Sequence, residues 1–325
     1  MSALEKKAAY LRQLVGAYLE EACASSEPAL LYEPVRYLIE SGGKRLRPLL
    51  LLLAAEAVGA DVQEVIPAAA AIELLHTFTL VHDDIMDQDE TRRGRPTVHV
   101  KWDVGTAILA GDGLVAMAYH ALFSRNYPRL VDMARVFTKG IVEVCEGQAL
   151  DKEFETRSSV GMNEYMTMIR KKTACLFATA CQVGALAGDG TDEQVDSLGQ
   201  YGTHLGIAFQ VQDDLLDLSS SVAVSGKPRG SDLAQGKKTF LVVAAEPVMS
   251  AQQRAWLAGH FGRHLPGEEL DEVESLFRSL GVVAEAEAVV NKELELARQA
   301  LGSLPPSEAV QAMLELSHQL VARVA

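Results

Sequence analysis

Two aspartate clusters in this chain share one spacing: Asp83, Asp84 and Asp87 in DDIMD, and Asp213, Asp214 and Asp217 in DDLLD. On a helix, residues four apart stand on one face roughly 6 Å apart, so Asp83 with Asp87, and Asp213 with Asp217, can each offer two carboxylates to one metal region. Each cluster follows an apolar stretch, Leu74 to Val81 and Leu205 to Val211. That order predicts carboxylates at the inner end of a buried helix. Like charges so close repel, and without a cation some would be driven to protonate. A divalent ion removes the conflict. Carboxylates without cysteine favour Mg²⁺, Mn²⁺ or Ca²⁺ over zinc, and neither cluster has the alternating acids and central glycine of a Ca²⁺ loop. Mg²⁺ keeps several waters and is shared between a few carboxylates and substrate phosphates, so the clusters point to a phosphorylated substrate. One cluster alone could be a solvated acidic turn. Two with the same spacing argue against that.

Basic residues follow each cluster: Arg92-Arg93-Gly94 after the first, and Lys227, Gly230 and Gly236-Lys237-Lys238 after the second. Guanidinium and ammonium groups on glycine-bearing loops suit the grip of phosphate oxygens beside metal ions. A third basic element, GGKRLRP, places Lys44, Arg45 and Arg47 after the flexible Gly42-Gly43 pair. By itself it fits an ordinary positive loop equally well. His76 lies on an apolar helix face, where a hydrogen-bonded core histidine is the plainer reading, and His82 reads the same way.

The elements that must carry these residues are helices. Leu4, Ala8, Leu11, Val15 and Tyr18 recur three or four apart, with Glu5, Lys6, Arg12 and Glu20 on the opposite side. Similar stripes continue between helix stops at Pro28, Gly42-Gly43, Gly59, Gly94-Pro96, Gly188-Gly190, Gly226-Gly230 and Pro305-Pro306. Asp61 with Glu64, and Thr191 with Gln194, have the spacing of a capping box. Val98, Val100, Trp102 and Val104 alternate as a strand would, but an isolated strand has no ladder partner, so this segment is expected to be loop. The fold expected is all-α, one large helical bundle, and with no linker-like stretch residues 1–325 read as a single domain.

The 325 residues are 48% hydrophobic and 23% charged, which supplies a sizeable core and leaves disordered and fibrous classes without support. A formal net charge of −14 argues against a nucleic-acid binder, since phosphate contacts need basic surface. No apolar run reaches the ~18 residues of a membrane span; Leu49 to Ala55 is stopped by Glu56. MSALEKKAAY lacks the apolar core of a signal peptide. Cys23, Cys145, Cys175 and Cys181 form no CxxC pair and read as reduced core residues, which suits a cytoplasmic protein.

In order, GGKRLRP, HTFTLVHDDIMDQDETRRG, GQALD, RKKTACLF, AFQVQDDLLD and GKPRGSDLAQGKKT resemble the motifs of the trans-prenyltransferases, the polyprenyl (isoprenyl) diphosphate synthases, from about Gly42 to Thr239. The resemblance implies an isoprenoid-synthase bundle with a central active-site cavity between facing aspartate-rich helices, and usually a homodimer. It implies enzymes that join isopentenyl diphosphate to an allylic diphosphate by ionisation to a carbocation, attack by the isopentenyl double bond, and loss of a proton to the released diphosphate. By motif position, Asp83 and Asp87 would bind two Mg²⁺ and Asp213 a third, with Asp84, Asp214 and Asp217 in support. Arg92, Lys172, Gln210, Lys227 and Lys237 would serve the allylic diphosphate. Gly43, Lys44, Arg47, His76 and Arg93 would serve isopentenyl diphosphate, which reverses the plainer reading of His76. Thr173 and Gln210 match positions whose oxygens and dipoles face the developing cation.

In such enzymes a bulky residue near the first aspartate motif blocks the product tunnel, and here Phe78 and the smaller Thr79 precede Asp83 by five and four residues. This resembles short-chain synthases making geranylgeranyl diphosphate, with farnesyl or longer-chain products as alternatives; core packing alone is the other explanation of Phe78. Two departures stand out: Phe240-Leu241 where the family often has Leu-Pro, and the polar run Ser219-Ser220-Ser221. A terpene cyclase would lack GGKRLRP and carry a different second metal motif. A non-catalytic partner subunit of a heteromeric prenyl synthase usually lacks aspartates or arginines that are all present here. A purely structural helical protein is the remaining alternative.

Overall fold

The computed structural model describes residues 3–219 and 229–321. Helices follow one another as α1 (Ala3–Ala22), α2 (Ala29–Glu40), α3 (Leu46–Ala57), α4 (Val62–Met86), α5 (Val98–Lys101), α6 (Val104–Leu122), α7 (Leu130–Thr156), α8 (Met162–Ile169), α9 (Cys175–Ala187) and α10 (Asp192–Ser219). After the undescribed segment come α11 (Ser231–Ala234), α12 (Phe240–Ala245), α13 (Ala251–Ala258), α14 (Gly267–Ser279), α15 (Val282–Ala300) and α16 (Glu308–Val321). The only strands among the described residues are β1 (Thr91–Arg92) and β2 (Arg95–Pro96), a minimal antiparallel hairpin. The chain divides into two compact units: Met1–Ile141 with Leu176–Gly202 and Arg298–Ser317, and Val142–Cys175 with Thr203–Ala297 and His318–Ala325.

In the first unit, α4 packs against α1, α3 and α6. From Val65 to Leu75 it is buried on every side, as a helix with no polar face must be. Its length and composition would also suit a membrane span, contrary to the run-length reading of the sequence, but most of it is already covered by protein. Asp61 caps it by accepting from the Gln63 amide at 3.0 Å. The predicted reciprocal box does not form there, because Glu64 pairs with Arg125 instead. Thr191 and Gln194 do form one, with bonds of 2.9 and 3.3 Å.

The segment expected to be loop is helical. Val98–Lys101 makes one turn, and Val104 opens α6 because Asp103 caps it, accepting from the Thr106 amide at 2.8 Å and its hydroxyl at 3.0 Å. The alternating valines are an accident of two helix starts meeting. In the second unit α8 packs on α12, and a π-helical turn, Arg170–Ala174, joins α8 to α9. Such widened turns displace side chains from the regular helical positions and recur at functional sites.

Helices of the first unit approach closely where glycine permits it. A Cβ on Gly184 of α9 would fall on the carbonyl oxygen of Leu51 in α3. Gly184→Ala is therefore expected to cost about 1–3 kcal/mol through overpacking, read as a lower midpoint of thermal unfolding. Gly302→Ala, whose added methyl meets open space, should leave the midpoint almost unmoved. Equal midpoints for the two variants would refute the close packing.

Candidate active site

The first aspartate cluster ends α4. Asp84 is 3% exposed and its Oδ1 accepts from Arg92 Nε; Arg92 Nη2 also lies 3.5 Å from Asp89. Asp83 and Asp87 are half-buried, and the Asp87 amide closes on the Asp83 carbonyl at 2.8 Å. The β1–β2 hairpin puts Arg92 there, turning at Arg93 and Gly94 with φ of +54° and +74°. Both values lie in the left-handed region that a two-residue hairpin turn needs. Thr97 closes the base of the hairpin, its hydroxyl donating to the Asp89 carbonyl, in the turn after α4, at 2.8 Å.

Gly43, with φ +147°, leaves room for Arg93: a Cβ there would stand 2.7 Å from the guanidinium. Arg45, at φ +42°, leads into α3, and two residues on Arg47 Nη1 lies 3.0 Å from His76 Nε2. Arginine can only donate, so His76 must accept at Nε2 and carry its hydrogen on Nδ1, which faces the Thr79 hydroxyl at 3.4 Å. Burial, followed by the charges of Arg47, Arg93 and Arg92, holds His76 well below its usual range and keeps it neutral. Arg47 also stacks over Phe177, 4.7 Å from the ring centre.

Thus Gly43, Arg47, His76 and Arg93 come together as the motifs implied, while Lys44 is exposed on the same loop. Glu73, one turn before His76, escaped the sequence reading although a carboxylate inside an apolar run was the available clue. It is 6% exposed, and burial raises its pKa against the opposing pull of Arg47, Arg45 and Arg93. One buried carboxyl among three arginines leaves net positive charge, the condition for holding an anion.

Phe78 is half-buried and meets His82 edge-on, with ring centres 4.7 Å apart. His82 itself packs against α6 at Gly111, where any Cβ would overlap the imidazole. Thr79 turns its hydroxyl back to the His76 carbonyl at 2.8 Å.

The second unit holds the other cluster in the last turns of α10. Asp213 is exposed, but Asp214 is buried and its oxygens receive three donors: Gln210 Nε2 at 2.9 Å, the Tyr165 hydroxyl at 2.7 Å and the Phe240 amide at 2.7 Å. Gln210 Oε1 in turn accepts from the Thr173 hydroxyl at 2.6 Å. Asp217 accepts from the Ser231 hydroxyl at 2.9 Å and the Asp232 amide at 3.3 Å. Phe240, one of the departures from the family pattern, is therefore part of the network, lending its amide to Asp214 and its ring edge to Tyr165.

Lys172 sits in the π turn and pairs with buried Asp151. The turn can lie against α7 because Gly147 has no side chain to strike the Lys172 backbone. Lys237 is half-buried with its amide on the Asp232 carbonyl at 2.9 Å. Lys227 and Ser220-Ser221 lie outside the described residues. Tyr165, Asp151 and Asp232 were not among the sequence-predicted residues, although Asp151 closes GQALD and Asp232 lies within GKPRGSDLAQGKKT.

Burial first, then the neighbouring Asp232 charge, pushes Asp214 and Asp217 each up to about 7. Among the described residues no three His, Cys, Asp or Glu side chains converge tightly enough to hold a metal unaided. The donor set nevertheless suits Mg²⁺: oxygen only, few carboxylates per position, and mutual repulsion that a cation would relieve. Water and phosphate oxygens would complete such a shell.

An all-α fold carrying two metal-suited carboxylate clusters and an arginine cluster suited to an anion fits one class, the isoprenoid synthases. The Polyprenyl synthetase family model matches residues 28–280. Over 315 residues the chain is 42% identical to the geranylgeranyl diphosphate synthase of Methanosarcina mazei, covering 95% of this chain and 94% of that one. Over 308 residues it is 42% identical to a short chain isoprenyl diphosphate synthase of Methanothermobacter thermautotrophicus, covering 94% of each. The crystal structure of a geranylgeranyl pyrophosphate synthetase from Pyrococcus horikoshii superposes with a TM-score of 0.93 at 38% identity, covering 98% of this chain and 99% of that one. The chain belongs to the polyprenyl synthetase family and is a trans-isoprenyl diphosphate synthase, a prenyltransferase. Membership implies Mg²⁺-dependent catalysis with isopentenyl and allylic diphosphates as substrates.

A carboxyl whose native pKa lies near 7 but whose unfolded value is 3.8 binds its proton preferentially in the folded state. The stability it lends is present at low pH and lost as pH rises through about 7. His76 has the opposite sign, but it is neutral in both states above its ordinary pKa of 6.5. Between pH 6.5 and 8, therefore, the metal-free protein should lose thermal stability, and Mg²⁺ should raise the melting temperature more at pH 8 than at pH 6.5. Asp217→Asn should flatten the metal-free profile. A profile equally steep in that variant would remove Asp217 from this account.

Proposed function

We propose that this chain condenses isopentenyl diphosphate with allylic diphosphates, head to tail and trans, and releases geranylgeranyl diphosphate. The observation that carries the reading is the order of groups along α4: His76 beside Arg47, then Phe78, then Asp83 and Asp87. One helix thus carries a diphosphate cradle, an apolar block and metal-suited carboxylates in succession along the chain.

Arg47, Arg93 and Lys44 would hold isopentenyl diphosphate, with His76 accepting from Arg47 and so aiming its guanidinium, and with Gly43 admitting the close approach. Arg92, Lys172, Gln210, Lys227 and Lys237 would serve the allylic diphosphate. Asp83, Asp87 and Asp213 would hold three Mg²⁺, with Asp84 and Asp217 orienting the groups around them. Bound Mg²⁺ would neutralise charge on the departing diphosphate. Thr173 and Gln210 would offer oxygen dipoles to the allylic cation. Arg92, paired with Asp84 in the ligand-free protein, would exchange that carboxylate for phosphate oxygens as substrate arrives.

The reading extends to a single polyprenyl synthetase domain over residues 1–325 acting as a homodimer. Exposed Val104, Ile108, Leu109 and Phe123 on and beside α6 support an apolar contact with a second copy. A cytoplasmic setting is supported by cysteines outside any disulfide, Cys23, Cys175 and Cys181 buried and Cys145 exposed rather than in the core as expected.

Product analysis with Mg²⁺, labelled isopentenyl diphosphate and, in turn, dimethylallyl, geranyl and farnesyl diphosphates tests the proposal. Chains that grow and stop at geranylgeranyl diphosphate are expected; no product from any primer would favour the partner-subunit alternative. Phe78→Ala should shift the distribution toward longer chains. An unchanged distribution would reduce Phe78 to core packing against His82.

A further inference from the structure

Gln210 and Thr173 can serve a cation only if their dipoles point the right way, and neither side chain determines that alone. An amide can be rotated by half a turn with little change of shape, and a hydroxyl hydrogen rotates freely. What removes the ambiguity is Asp214. In its ionised form it only accepts, so the Gln210 group 2.9 Å away is then the NH₂. The amide oxygen then faces Thr173, whose hydroxyl must donate to it at 2.6 Å. With its hydrogen committed, Thr173 Oγ1 turns lone pairs, not a proton, toward whatever lies in front of it.

Asp214 can impose this order only if its own oxygens are held. The Phe240 amide at 2.7 Å supplies one restraint from the backbone, and the Tyr165 hydroxyl at 2.7 Å supplies the one side-chain restraint outside the pair it orders. Tyr165 is fully buried, and its ring stands edge-on to Phe240 with centres 5.8 Å apart. A tyrosine hydroxyl in such a place costs free energy unless it is bonded, and its partner here is Asp214.

We propose that Tyr165 is a positioning residue for the prenyl transfer: through Asp214 it fixes the direction of the Gln210 amide, and through Gln210 the lone pairs of Thr173, so that an oxygen and not a hydroxyl proton meets the allylic cation. This rests on the prenyl-transfer reading above. It assigns Asp214 an orienting task in place of direct metal support, since both of its oxygens are taken by donors of this chain. Because the relay acts on charge that exists only after ionisation, its loss lowers turnover and leaves substrate affinity alone.

The test compares steady-state kinetics of wild type, Tyr165→Phe, Gln210→Ala and the double variant. Tyr165→Phe keeps the ring and deletes the hydroxyl; kcat should fall about tenfold with both KM values within about twofold. In the Gln210→Ala background the same change should alter kcat by less than about twofold, because the relay already lacks its middle link. A purely structural tyrosine would give equal losses in both backgrounds, and that result, or an unaltered kcat in Tyr165→Phe, would overturn the proposal. Asp214→Asn provides a second variant should Tyr165→Phe not melt cooperatively: it sets an NH₂ against Gln210, and kcat should fall further than in Tyr165→Phe at unchanged KM. Near-normal turnover in Asp214→Asn would likewise overturn the relay. The wild-type arm separates the two levels, since an inactive wild type defeats prenyl transfer itself, while an active one with insensitive variants defeats the relay alone.

Discussion

Carboxylates gathered at the wrong end of a helix are the constraint around which each unit is organised. A helix C-terminus carries a partial negative charge, so the aspartates closing α4 and α10 are disfavoured by the backbone as well as by one another. Each cluster has local relief. Asp84 takes Arg92 from the hairpin that follows it. Asp214 takes three hydrogen bonds, and Asp217 caps the short helix α11. The relief is partial: Asp217 still stands near 7, which leaves work for a divalent cation.

The first unit shows the converse problem, an excess of positive charge. Arg45, Arg47 and Arg93 surround one buried carboxyl, Glu73, and beside it burial first, then the charges of Arg47, Arg93 and Arg92, keep His76 neutral. A protonated His76 would add a repelled cation; a neutral one becomes an acceptor that anchors Arg47. Glycine makes the arrangement sterically feasible, since Gly43 yields to Arg93. Electrostatic tension that an anionic ligand relieves is what a diphosphate site requires.

The second unit solves a different task, giving direction to neutral dipoles. Its π turn projects Lys172 and Thr173 in succession, the first toward Asp151 and the second toward Gln210. A regular helix would separate those two directions by a fixed turn angle. The widened turn relaxes that angle and is accommodated because Gly147 offers no side chain to oppose it.

Much was legible from the residues alone. The repeated aspartate spacing, the glycine-flanked basic loops and the helical periodicity are local patterns, and local patterns survive in a linear reading because i and i+4 are neighbours on any helix. The all-α fold, Mg²⁺-suited chemistry and the pairing of Gly43, Arg47, His76 and Arg93 followed from them and from the family resemblance. Residues acting across sequence distance were not legible. Tyr165 carries no mark in its own segment, and Glu73, Asp151 and Asp232 carry only faint ones; they gain meaning where folding sets Tyr165 against Asp214, 49 positions away, or Lys172 against Asp151. The segment from Val98 to Val104 misled because alternation is a local cue, while an Asp103 cap is decided by which backbone amides are left unpaired. Sequence by itself determined which chemical groups are present and on which helices. Tertiary structure alone decided which are buried, which are paired and which way they point, because desolvation and hydrogen-bond geometry are properties of the packed interior and not of the chain.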